Sequence, residues 1–112
     1  MVKKGFFVGM LVMLLAFAGT TVYAQQVTSR EMERHVNSAT EKSDRAYRLA
    51  NQNYKANERE IDVLVDQVNK ELVAIERLKN RGENFTSNQE QKIQAVIANG
   101  VAIVRLREQA NR

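Results

Sequence analysis

Apolar side chains recur at helical spacing in two stretches of the chain. Ile61, Val65, Val68, Leu72 and Ile75 follow one another at steps of four, three, four and three, with Leu64 and Leu78 beside them. A second stripe, Ile93, Val96, Ile97, Val101, Ile103 and Val104, lies closer to the C-terminus. No Gly or Pro interrupts residues 28–81, and Glu, Arg, Lys, Ala and Leu abound there, so the pattern predicts one long helix. At the rise of an α-helix it extends on the order of 80 Å. Its ends suit the helix dipole, with Glu31 and Glu33 in the first turns and Arg77, Lys79 and Arg81 in the last.

Gly82 stands where a helix end favours positive φ, so the C-cap is expected there, followed by a short loop at 83–85. Thr86 with Gln89, and Ser87 with Glu90, both have capping-box spacing and mark the start of a second helix running toward Arg112. Asn99-Gly100 interrupts that pattern. Its composition leaves open an unbroken helix, a helix broken at Gly100 and a two-residue β-hairpin; the missing alternation and the capping signals favour the first.

The expected fold class is all-α: a long helix followed by a shorter antiparallel helix, a coiled-coil-like helical hairpin with its turn near 82–86. The second helix then covers the part of the first where apolar side chains are densest. Residues 58–112 form the hairpin and residues 25–57 a polar, extended helical arm with no partner in the chain. Two helices bury little, and the second stripe spans an arc of about 160°, wider than one antiparallel seam covers. A homo-oligomer, most simply a dimeric four-helix bundle, is therefore expected to complete the core. The expected interaction seam is Ile61, Val65, Val68, Leu72, Ile75, Ile93, Val96, Ile97, Ile103 and Val104. Along the arm the spacing continues through Val36, Thr40, Ser43, Tyr47, Ala50, Tyr54 and Asn57, with Tyr47 and Tyr54 as a candidate partner face.

The N-terminus has a different character. Lys3 and Lys4 precede an uncharged apolar run over 5–19, too short to span a bilayer comfortably, and Val22-Tyr23-Ala24 suits a signal peptidase. Residues 1–24 are thus expected to be a cleavable signal peptide, directing the protein to a bacterial periplasm or the cell exterior and leaving no membrane span. Cleavage leaves 15 basic and 13 acidic residues, a net charge of +2, with the two signs interleaved. That balance describes a solvated helical surface better than a nucleic-acid site, so no nucleic-acid partner is expected.

Candidate chemistry is sparse. The absence of Cys excludes disulfides, thiolate nucleophiles and sulfur-ligated zinc. His35 is the one histidine, and Glu31 four residues earlier shares its helix face, but two ligands do not make a metal site. The carboxylates lie near Lys or Arg rather than paired in apolar surroundings, and the mature chain carries no glycine-rich phosphate loop. The expected protein is non-enzymatic, without catalytic, cofactor or metal residues. It is expected to act in the envelope through self-association and contact with a protein partner. The alternative is a chaperone-like or regulatory module that holds a client helix in its apolar groove.

Overall fold

The computed structural model describes residues 30–112, so the expected signal sequence at 1–24 lies outside the described residues. Two helical elements, α1 (Arg30–Asn80) and α2 (Ser87–Ala110), pack against one another. The all-α helical hairpin predicted from the apolar pattern is present.

Its turn is built by the signals the sequence displays. Gly82 has φ +101°, a conformation costly for residues with a Cβ. The Gly82 amide donates to the Lys79 carbonyl at 2.9 Å and the Glu83 amide to the Leu78 carbonyl at 3.1 Å, the paired bonds of a Schellman motif. Thr86 then caps α2: its hydroxyl accepts from the Gln89 amide at 3.1 Å, and Gln89 Oε1 accepts from the Thr86 amide at 3.0 Å. Both ends of the loop are thereby satisfied by local bonds. Helix α2 continues unbroken through Asn99 and Gly100, and Gly100 is buried on its seam.

Helix α1 departs from the straight rod expected. Asn53 has φ −167° and ψ 99°, an extended conformation inside 51 otherwise helical residues. A straight helix of that length would span about 76 Å, whereas the longest dimension of the fold is 46 Å. The chain reverses at Asn53. Residues 30–52 form a first limb and residues 54–80 a second limb lying antiparallel to it, as the contacts of His35 with Glu71 and Arg45 with Glu60 require. The first limb runs parallel to α2, with Glu33 against Gln89, Asn37 against Lys92 and Ser43 against Asn99. The result is an up-down-up three-helix bundle.

The polar arm expected to extend over 25–57 is therefore, where described, folded back onto the hairpin. The physical reason lies in two asparagines. Asn53 Oδ1 accepts from the Ala56 amide at 3.1 Å, capping the second limb, while Asn57 Nδ2 donates to the Leu49 carbonyl at 3.1 Å, capping the end of the first. With one terminal backbone group of each limb served in this way, the corner of one residue recovers part of the hydrogen bonding it interrupts.

The core is a single cluster drawn from all three helical segments. The first limb adds Met32, Val36, Ala39, Ala46, Ala50 and the polar Ser43 to the aliphatic side chains of the second limb and α2. The apolar surface that two helices would leave uncovered is covered within the chain.

Candidate functional site

The most distinctive feature of the bundle is the groove between the second limb and α2, together with the limb that closes it. Its floor is aliphatic. Ile61, Val65, Val68, Leu72 and Ile75 from the second limb, with Ile93, Val96 and Ile103 from α2, are all buried. Ile97 and Val104 are half-buried and pack against the same cluster. The heptad-like spacing places these side chains on facing surfaces, and branched residues fill the seam.

The covering limb presents smaller side chains. Between Ala39 and Ala50 its buried positions are Ala39, Ser43, Ala46 and Ala50, and the larger Met32 and Val36 sit only at its start. Much of its attachment is polar. Gln89, itself buried, donates from Nε2 to Glu33 Oε1 at 2.7 Å while its other side-chain atom completes the cap of α2. Lys92 donates to Asn37 at 2.7 Å, and Asn99 Nδ2 donates to Ser43 Oγ at 3.1 Å and to Asp44 at 2.7 Å.

Toward the second limb, His35 Nδ1 donates to Glu71 Oε1 at 2.7 Å, and Lys42 lies 3.8 Å from the other carboxylate oxygen. Burial alone would raise the pKa of Glu71. It is outweighed by hydrogen bonds from Ser38 and His35 and by the charges of His35 and Lys42, so the carboxyl is held below its usual range. His35 is thus engaged across the bundle, while Glu31 lies near Arg81 at 3.8 Å. Among the described residues no three His, Cys, Asp or Glu side chains gather to hold a metal ion. A hollow of about 540 Å³ between the limbs is lined by Lys42, Arg45 and Arg48 together with Glu41, Asp44, Leu64 and Gln67. Of its charged side chains, Arg45 pairs with Glu60, Lys42 with Glu71, and Asp44 accepts from Asn99.

Tyr47 and Tyr54 do not form a free face. Tyr54 follows the corner and is 5% exposed, and Tyr47 is half-buried against the core. The Tyr54 hydroxyl is buried without a hydrogen-bond partner among the described residues. Burial, the nearby Asp62 and the more weakly acting Glu58 push its pKa up to about 12, against the opposing charge of Arg107. At the opposite end of the bundle Lys79 sits 4.3 Å over the Phe85 ring, and burial lowers its pKa although Glu90 works against that shift.

Several roles that build this site escaped the sequence reading. Asn53 and Asn57 set the corner, Gln89 ties cap to cover, and Met32, Ala39 and Ala46 join the seam where Thr40 and Tyr47 were expected. The available signals were the capping preference of Asn and the 32, 36, 39, 43, 46, 50 spacing of uncharged residues. No described helix is long and apolar enough to cross a membrane. No known protein family, curated protein or solved structure matches the chain.

Proposed function

We propose that this chain is an exported, non-enzymatic helical protein of the bacterial envelope that acts by protein–protein contact, using the groove between the second limb and α2. In this reading residues 30–52 are a cover hinged at Asn53. When the cover swings out, the groove accepts an amphipathic helix, a mode in which regularly spaced apolar side chains seat in an apolar channel. The N-terminal basic and apolar pattern supports export. The observation that carries the contact reading is the mismatch between floor and cover: branched aliphatic side chains below, and above them a limb whose fully buried central positions are Ala and Ser, flanked by the partly buried Tyr47 and Leu49. Segments with few large apolar contacts open at lower free energy than the rest of a fold.

Native-state hydrogen exchange tests this. Amides of residues 30–52 are expected to exchange through an opening that leaves residues 61–78 and 93–104 protected. The double substitution Ser43→Cys with Asn99→Cys, bridged by a short bifunctional thiol cross-linker, ties positions whose native side chains meet at 3.1 Å and should abolish that early exchange. Equal protection in all three segments would show that the cover does not open separately, and the reading would fall. Export is tested by the mass of the protein recovered from an exporting host, which should lack residues 1–24.

A further inference from the structure

We infer that the groove's partner is the first limb of a second copy of this chain: α1 straightens at Asn53, and two chains exchange residues 30–52 to form a two-fold, domain-swapped dimer. This rests on the reading that the first limb leaves its groove, and it names what replaces it.

The corner is the first ground. It consists of one non-helical residue in a run with no Gly or Pro, and Asn51, Gln52 and Asn53 are all exposed. Straightening it uncovers little surface there. The two capping bonds of Asn53 and Asn57 are lost, and helical backbone bonds across the corner replace them. The corner also holds an unfavourable feature, the Tyr54 hydroxyl, buried without a hydrogen-bond partner among the described residues. A short connection that must reverse the chain sharply is the kind that invites exchange between copies.

Continuity of the apolar stripe is the second ground. The buried positions Ala46, Ala50, Tyr54 and Ile61 and the half-buried Asn57 fall at steps of four, four, three and four across the corner. This is helical spacing with one extra four-residue step, which a continuous helix absorbs by a small change of supercoil. The sequence thus supports α1 bent and α1 straight. The contacts closing the monomer away from the corner, including Gln89 with Glu33 and His35 with Glu71, are available unchanged between two chains.

The test uses the chain expressed with its own N-terminal segment and purified as its host processes it. In the Ser43→Cys, Asn99→Cys variant, oxidation of a closed monomer gives an intrachain bridge, whereas oxidation of an exchanged dimer gives a covalent dimer that survives denaturation. The covalent dimer is expected to increase with the concentration at which the protein is equilibrated before oxidation. A short bifunctional thiol cross-linker reads the same two states where direct oxidation is incomplete. Asn53→Ala removes the cap of the bent form and favours the straight helix, so it should raise the association constant by on the order of tenfold or more. Three glycines inserted after Gln52 should lower it, because a longer connection lets the limb close on its own groove. The exchange is overturned if sedimentation equilibrium finds only monomer over the soluble range, Asn53→Ala included, or if a dimer forms with intrachain bridges alone. Those outcomes leave the opening of the cover to the exchange measurement, which needs no second copy.

Discussion

The two limbs of α1 are helices of similar length with the same three-and-four spacing of buried positions, yet they are held to the bundle by different forces. The second limb contributes Ile61, Leu64, Val65, Val68, Leu72, Ile75 and Leu78, each a large aliphatic side chain removed from water. Burial of such a side chain stabilises by about 1.5–3 kcal/mol. The first limb over 39–50 fully buries only Ala and Ser, with Tyr47 and Leu49 partly buried beside them, and its side-chain hydrogen bonds to α2 and the second limb contribute about 0.5–1.5 kcal/mol apiece. Periodicity therefore says which face of a helix is inward. The size of the side chains on that face says how firmly the helix is kept there.

The largest effect should come from Leu72→Ala, which empties a fully buried position of the second limb. A loss of about 2–5 kcal/mol of global stability is expected, measured by denaturant unfolding. Ala46→Leu makes the opposite test in the first limb. Overpacking there costs about 1–3 kcal/mol, and the expected outcome is release of the cover: faster amide exchange in residues 30–52 with residues 61–78 still protected. If Ala46→Leu lowers global stability as much as Leu72→Ala and by the same cooperative transition, the limbs are one unit and the distinction between them fails.

How much of this was legible follows from where the signals lie. Gly82, the Thr86 and Gln89 pair and the stripe from Ile61 to Ile75 are local and redundant, so the hairpin could be read directly. The corner could not be read that way. Asn is tolerated within a helix and favoured at its cap, and the residue three beyond Asn53 is Ala56, so the capping-box partner that marked Thr86 is missing. The apolar spacing runs on through Ala50, Tyr54 and Ile61, which made a straight helix the simpler reading. Arg45 and Arg48 before the corner, and Glu58 and Glu60 after it, do complement one helix end and one helix start. That charge pattern was visible, but it blends with a surface rich in both signs. The floor of the groove was legible because its side chains are large. Its cover was not, because Ala is equally at home buried or exposed on a helix.

Acid should separate the limbs by way of Glu71. Its folded pKa is lowered from the ordinary value of 4.5. The stabilisation it brings is therefore present above about pH 4.5 and lost as pH falls through the lowered folded value. Glu71→Ala should weaken attachment of the cover by about 1–2 kcal/mol at neutral pH and make its opening less sensitive to acid below 4.5. Exchange of residues 30–52 followed from neutral pH to pH 3, corrected for the intrinsic rate, distinguishes the two proteins. Parallel profiles would mean that the contacts of Glu71 with His35, Ser38 and Lys42 do not hold the limb.

The smallest effect is expected at the corner itself. Tyr54→Phe removes a hydroxyl that is buried without a partner, so the loss of that polar group should change stability by less than about 1 kcal/mol and in the favourable direction. Alkali provides the sharper reading. The unfolded phenol ionises near 10.0 and the folded one at about 12. The folded protein therefore keeps its proton over an interval in which the unfolded chain has lost it, and stability falls as pH rises from about 10 through 12. Tyr54→Phe should flatten that part of the stability profile and remove the phenolate absorbance that develops last in a spectrophotometric titration. A late-ionising tyrosine that persists in Tyr54→Phe would place the protected phenol elsewhere than at the corner where the two limbs part.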